Sequence, residues 1–309
     1  MSVQPEHIFP LRPPLPLPDG VSEDQLFNWL KRVCISDAPP NEIMNYCTQD
    51  FRRFVYTYGL VREASKDVQD SKMRCLELGA NPYFATILLK KFTQHKFVLA
   101  NFFGDQLPSG IQSQSVDLLE FDPENQDQAK AFRVGLDFHH FNIENDPFPF
   151  DNASFDIVLF CEIIEHLLID PAKVLREIRR VLKPNGQLIL TTPNVSRLEN
   201  VARMLSGANI YDPYSGYGAY GRHNREYNKH ELHLLLTYVG FNIQEMFSAD
   251  VHDNHAYQFF DLTNIQSYLK FRQADLGQYI FLRAKNNGVD QGKKPSWLYR
   301  SYPMDELDA

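Results

Sequence analysis

An acid, a glycine and the start of a helix follow one another closely at Glu77-Leu78-Gly79-Ala80. Glycine permits positive φ and a close backbone approach, and a helix N-terminus offers N–H groups that lack an intrahelical partner. That combination suits a nucleotide-like ligand. A second group of reactive side chains lies downstream, between Tyr211 and Tyr227. Tyr211, Tyr214, Tyr217 and Tyr220 recur every three residues among glycines, and Arg222, His223, Asn224 and Arg225 set four polar side chains in a row. Glycine lets a loop close over a ligand, while tyrosine offers a flat apolar face with a polar edge. Such a surface suits a sugar or another polyhydroxylated molecule. Metal chemistry has no such support. His230-Glu-Leu-His233 lacks the HExxH spacing, and Cys34, Cys47, Cys75 and Cys161 form no CxxC pair, so no metal site is expected.

The elements that must position these residues can be read from periodicity. Arg74 to Leu78 reads as a short buried strand, with a helix from about Phe84. Further strands are expected at Lys96–Asn101, Leu136–Asn142, Phe155–Phe160, Gln187–Thr192 and Phe241–Met246. Gln278–Arg283 is expected as a seventh strand, antiparallel to its neighbour. Asp170-Pro171 supplies an N-cap and a first-turn proline for a helix carrying Val174, Leu175, Ile178, Val181 and Leu182 on one face. Asn228 caps another helix, which Gly240 ends. Alternating strands and helices demand a parallel sheet with right-handed crossovers, and ligand then sits over the carboxyl ends of the strands. Upstream, the proline-dense Leu11 to Gly20 is expected to lie extended on its own domain. Ser22, with Gln25 at the capping-box position, starts one helix, and a second is expected over Asn41 to Tyr58. The organisation expected is a tail and helical cap over 1–70, a main domain over 71–285 with an insertion at 104–135 that holds an extra strand or helix at Val116–Phe121, and a polar tail over 286–309.

The chain has 309 residues, 43% of them hydrophobic, which is enough for one large α/β core with extensions. Lys and Arg total 31 against 39 Asp and Glu, a net charge of −8 that gives no reason to expect a nucleic-acid partner. No signal-like segment opens the sequence and no apolar run approaches about 18 residues, so a cytoplasmic setting without a membrane span is the expectation.

The run FPFDNASFDIVLFCEIIEHL from Phe148, continued by PAKVLREIRRVLKPNGQLILTTPN to Asn194, closely resembles the type 11 group of class I S-adenosylmethionine-dependent methyltransferases. Glu77-Leu78-Gly79-Ala80 is similar to that family's first motif, an acid followed by Gly-x-Gly-x-Gly, with Asn81 and Tyr83 where the later glycines stand. The resemblance covers roughly Arg74 to Arg283. It implies a Rossmann-like, seven-stranded, mostly parallel sheet with helices on both faces, extended here by N-terminal helices, and S-adenosylmethionine as cofactor. Carried onto this sequence, it places the cofactor against Glu77, Gly79, Ala80 and Asn81. Asn101 stands where an acid commonly binds the ribose. Asn142 and Ile143 border the adenine, and Cys161 follows the fourth strand.

Methyl transfer is an in-line displacement that needs alignment, exclusion of water and, for an alcohol acceptor, a base. His166, at the rim after the fourth strand, is the first candidate base, followed by His223 and Glu162. Tyr217, Tyr220, Arg222, Asn224 and Arg225 are the candidate acceptor contacts. The expected activity is O-methylation of a sugar or glycan-like acceptor, by similarity to type 11 members associated with surface polysaccharide synthesis. A quinone, phenol or other small-molecule acceptor is the first alternative. The second is a non-catalytic binding or scaffold protein, which Asn81, Tyr83 and Asn101 motivate.

Overall fold

The structure is a computed structural model that describes residues 12–66, 72–216 and 218–308; the expectations for residues 1–11 and for Tyr217 lie outside these. The described chain runs α1 (Glu23–Leu30), β1 (Cys34–Ile35), α2 (Pro40–Ser65), β2 (Arg74–Leu78), α3 (Phe84–Phe92), β3 (Lys96–Asn101), β4 (Gly110–Leu119), β5 (Ala131–His140) and β6 (Phe155–Cys161). It continues with α4 (Pro171–Val181), β7 (Leu182–Pro193), α5 (Leu198–Ser206), α6 (Lys229–Tyr238), β8 (Asn242–Ala249), α7 (Gln266–Leu269) and β9 (Tyr279–Lys285).

Nine described strands form one sheet in the order β1-β4-β5-β3-β2-β6-β7-β9-β8. β5, β3, β2, β6 and β7 run parallel, and β9 lies antiparallel between β7 and β8. The expected fold is present, with two strands more than the seven expected. One is the two-residue β1. The other, β4, arises inside the presumed insertion 104–135 and pairs antiparallel with β5 from Gly110↔His140 to Leu119↔Ala131. The third strand therefore begins at Ala131 rather than Leu136. Only the second half of β4 is signalled in the sequence, at Val116–Phe121, because its first half includes an inward polar residue, the buried Gln114, which breaks the apolar alternation.

Strand β6 shows why both faces need cover. Ile157 and Leu159 join the core built with α1, α2 and α3, while Val158 and Phe160 join the one built with α4 and α6. Asp170 caps α4 by accepting from the Lys173 N–H at 3.0 Å, and Asn228 caps α6 by accepting from the Glu231 N–H at 2.9 Å. The expected turn at 183–186 survives as a bulge within β7, since Phe155 pairs with Leu182 but Ile157 pairs with Gln187. In the C-terminal segment the residue that anchors the chain is Tyr299, whose hydroxyl donates to Asp170 at 2.7 Å; Trp297 stays 43% exposed.

Helix α2 runs on to Ser65, seven residues beyond its expected end. Gly59 does not stop it, because that glycine is where the proline segment docks. Tyr56 donates to the Pro13 carbonyl at 2.6 Å, and a Cβ on Gly59 would stand 2.3 Å from Cγ of Pro16. Gly-to-Ala changes inside helices ordinarily gain about 0.5–1 kcal/mol. Here Gly59→Ala is expected to lose about 1–3 kcal/mol through overpacking, read as a lower denaturant midpoint. A raised midpoint would show that the prolines are not seated on α2.

Candidate functional site

Strand order reverses between β2 and β6, where the crossovers leave in opposite directions. A crevice at such a switch point is the usual ligand site of an open α/β sheet. A cavity of about 180 Å³ lies there, walled by Leu78, Gly79, Ala100, Asn101, Phe102, Phe141, Asn142, Ile143, Glu162, Ile163, His166, Leu167 and Tyr220. Six residues singled out for the cofactor and catalysis thus meet in one place: Gly79, Asn101, Asn142, Ile143, Glu162 and His166, joined by Tyr220. Gly79 adopts φ +65°, and a Cβ there would lie 2.6 Å from Cδ1 of Ile163. Only glycine lets β2 turn this close to the opposite wall. Glu77, Ala80, Asn81 and Cys161 do not line the cavity.

Glu77 is buried and accepts a hydrogen bond from Thr86 Oγ1 at 2.6 Å, tying β2 to α3. Burial pushes its carboxyl up from 4.5 to about 7, against the opposing pull of Thr86 and Lys90. A raised folded-state value means the folded protein holds a proton that the unfolded chain has lost. This contribution to stability is full below pH 4.5 and is lost as pH rises through about 7. Glu77→Gln is expected to flatten the fall of stability across that window, by up to about 3 kcal/mol. Denaturant titrations at both ends of the window check it; an unchanged slope would mean that Glu77 ionises normally.

The two departures from the glycine motif are linked to each other. Tyr83 takes the left-handed conformation, φ +67°, that a glycine would favour. Its hydroxyl accepts from Asn101 Nδ2 at 3.1 Å and donates to Gln114 at 2.7 Å. Asn101 Oδ1 in turn accepts from the Asn81 N–H at 2.9 Å. The amide that replaces the ribose-binding acid is thus committed to holding the Asn81–Tyr83 turn. Asn142 has a comparable double engagement: Oδ1 accepts from the Glu144 N–H at 2.9 Å, and Nδ2 donates to the Tyr220 hydroxyl at 3.2 Å.

A second cavity, of about 280 Å³, lies on the far side of His166. Its walls include Arg197, Glu199, Arg203, Asp212, His223, Glu226, His252, His255, Gln278 and Tyr279. Rings of His166 and His223 stand 5.0 Å apart, edge to face, and form the partition between the two cavities. Backbone bonds bring them together. The Glu165 carbonyl accepts from the N–H groups of Asn224 and Arg225 at 2.7 and 3.1 Å, and the Asn224 side chain donates to the His166 carbonyl at 2.9 Å. Asn224 is therefore a fastener of the loop. Arg225 pairs with Glu231 on α6, and Arg222 lies over the Tyr214 ring.

The electrostatics of the partition are asymmetric. Burial, followed by the neighbouring His223, holds His166 below its ordinary value, so its ring is neutral at neutral pH. Burial also works against charge on His223, but Glu226, Glu165 and Asp212 outweigh it and hold that ring above its ordinary value. Burial pushes the carboxyls of Glu162 and Glu165 up. Glu162 sits at φ +55°, a strained backbone for a residue with a side chain, fixed by Thr191, whose hydroxyl donates to its carboxylate and whose carbonyl accepts its N–H, both at 2.8 Å.

Several site residues escaped the sequence reading. Glu144 accepts from the Leu168 and Ile169 N–H groups at 3.0 and 2.8 Å, holding the loop after His166. Glu226 bonds His223 Nδ1 at 3.0 Å and pairs with Arg197. The only signal for Glu226 was an acid three residues after a histidine. Another concavity, of about 910 Å³ between Pro13–Pro16 and β8, lies away from the cavity at the switch point.

An adenosyl group has suitable partners in the first cavity: a glycine that allows close approach and an apolar slot between Leu78, Phe141 and Ile143. The volume is below the roughly 300 Å³ at which drug-sized sites begin, so a complete S-adenosylmethionine needs more room than Tyr220 leaves in this position.

Comparison with known proteins finds similarity over part of the chain. A family model described as a methyltransferase domain matches residues 106–190. A probable S-adenosylmethionine-dependent methyltransferase of Mycolicibacterium smegmatis is 36% identical over 76 residues, covering 25% of this chain and 28% of that protein. Lovastatin diketide synthase mokB of Monascus pilosus is 36% identical over 66 residues, 21% of this chain and 3% of the synthase. The chain thus spans less than a third of either curated relative. Among solved structures, the CurJ carbon methyltransferase is similar at a TM-score of 0.46 and 16% identity, over 81% of this chain and 60% of that one. Residues 106–190 thus match a methyltransferase domain, and S-adenosylmethionine is the cofactor that this similarity implies.

Proposed function

We propose that the protein transfers a methyl group from S-adenosylmethionine to a hydroxyl of a polar, polyhydroxylated acceptor such as a sugar. The observation that carries this reading is the pair of cavities meeting at His166 and His223. One is largely apolar and lies at the switch point; the other is lined by arginine, histidine, carboxylate and amide groups. S-adenosylmethionine supplies an electrophilic methyl when bound. The chain's own residues hold the acceptor and accept its proton. His166 Nδ1 faces the Arg222 carbonyl at 2.9 Å, and a carbonyl can only accept, so Nδ1 carries the hydrogen and Nε2 is the basic atom. Arg197 and Arg203 can donate to acceptor oxygens, and Tyr279 offers an aromatic face. A quinone or simple phenol would leave these charged groups unmatched, which favours the polar acceptor.

The test is product formation with a panel of free and nucleotide-linked sugars, alongside calorimetric titration with donor and demethylated product. His166→Ala is expected to lower turnover by about 10²–10⁴-fold while donor binding stays nearly intact. Turnover equal to wild type with a working acceptor would remove His166 from the chemistry. One observation favours a second reading, a binding protein on a methyltransferase fold: Asn101 is already engaged by Asn81 and Tyr83. Absence of heat with both donor and product would select that reading.

A further inference from the structure

We propose that Glu165, His166 and His223 bind one divalent transition-metal ion, of the zinc, manganese or cobalt kind, at the partition between the two cavities. One donor atom from each residue lies within 4.8 Å of the others. The carboxylate of Glu165 is fully buried; Oε2 accepts from Thr192 at 2.9 Å, while Oε1 has no hydrogen-bond partner and stands 3.8 Å from His166 Nε2. A buried carboxylate oxygen left bare is costly unless something positive meets it. Metal bonds of about 2.0–2.2 Å put the donors of one ion roughly 3–4 Å apart, which the Glu165–His166 pair already matches.

The surroundings of both rings point the same way. Metal-bound imidazoles usually give their other nitrogen to a carbonyl or carboxylate, which fixes the tautomer and aims the lone pair. His166 does this with the Arg222 carbonyl at 2.9 Å, and His223 with Glu226 at 3.0 Å. Each leaves Nε2 as its second donor. Two imidazoles and one carboxylate suit a borderline transition metal better than magnesium or calcium, which prefer oxygen alone. Three protein ligands leave coordination positions open. An open position here would receive an oxygen of the acceptor and take over the task assigned above to His166, a consequence that rests on the methyl-transfer reading, whereas ion binding itself does not.

The experiment uses the untagged full chain, stripped with a chelator and titrated with Co²⁺ by calorimetry and visible absorption. Expected is one tightly bound equivalent, with ligand-field bands that report nitrogen donors. His223→Ala and Glu165→Gln should each weaken it by more than about 100-fold, beyond the usual effect of losing an outer partner, and Glu226→Gln by about tenfold. Melting curves confirm folding. Should Glu165→Gln fail to fold, His223→Ala, on a half-buried loop, still decides. No saturable equivalent in the wild type, or undiminished binding in His223→Ala, overturns the proposal. Donor affinity is measured on the same samples: its absence would sink the methyl-transfer reading and leave a positive cobalt result standing.

Discussion

Gly79→Arg is expected to abolish binding of S-adenosylmethionine and to leave the sheet folded. Three features of the position lead to this result. Its φ of +65° lies where side chains are disfavoured, its absent Cβ faces Ile163 at 2.6 Å, and it forms part of the wall of a cavity of only about 180 Å³. An arginine would fill that space. The expected loss exceeds about 1,000-fold in affinity, roughly 4 kcal/mol. Calorimetry on the purified variant measures it, with far-ultraviolet circular dichroism to show that the domain persists. Gly79→Ala should fall between, because a single methyl strains the backbone and displaces Ile163 without filling the cavity. Wild-type affinity in the arginine variant would place the donor elsewhere.

Arg53→Ala is expected to cost about 3–5 kcal/mol of stability, because it strands a buried charge. Arg53 and Asp50, one turn apart on α2, have side chains only 6% and 11% exposed and meet at 2.9 Å. Arg53 also donates to the Tyr46 hydroxyl at 2.6 Å and lies over the rings of Phe54 and Tyr279. Its removal therefore leaves the Asp50 carboxylate without its cation and loosens an aromatic packing that reaches Tyr279 in the wall of the second cavity. Urea titration gives the stability. Replacing both partners together, Asp50→Leu with Arg53→Met, should recover most of the loss, since apolar substitutes for a buried pair are often neutral or better. A loss below about 1 kcal/mol in the single variant would mean that water reaches Asp50.

The sheet was legible in the sequence where its physics is local. β6 is an apolar run, α4 opens with Asp170-Pro171, and α6 is bracketed by Asn228 and Gly240, so each announces itself. The first half of β4 was not legible, because Gln114 occupies an inward position and its partners, Asn81, Tyr83 and Asp37, are distant in the chain. The same holds for the compensation between Tyr83 and Asn101. Each residue reads as a defect in a motif, and only tertiary contact shows that the two bond each other. The meeting of Glu165, His166 and His223 was hidden for a different reason. Backbone groups of 224 and 225 bring the two segments together, and a backbone bond leaves no signature in residue type. The walls of the second cavity come from four separate segments, so Arg203, His252, His255 and Gln278 had nothing local to mark them.

The β4 arm has a consequence for how the chain behaves at high concentration. A bare strand edge is a template on which another copy can add. Without β4, the edge would be β5, with Val134, Leu136 and Phe138 along it. In its place the sheet presents a strand with Gln112, Ser113, Gln114 and Ser115, partly capped by β1, and a surface ion pair between Asp117 and Arg133. At the opposite end, β8 carries an irregularity between Ile243 and Glu245. The aggregation-prone strands are thereby kept inside, and what guards them is a segment that reads, from its composition, as filler.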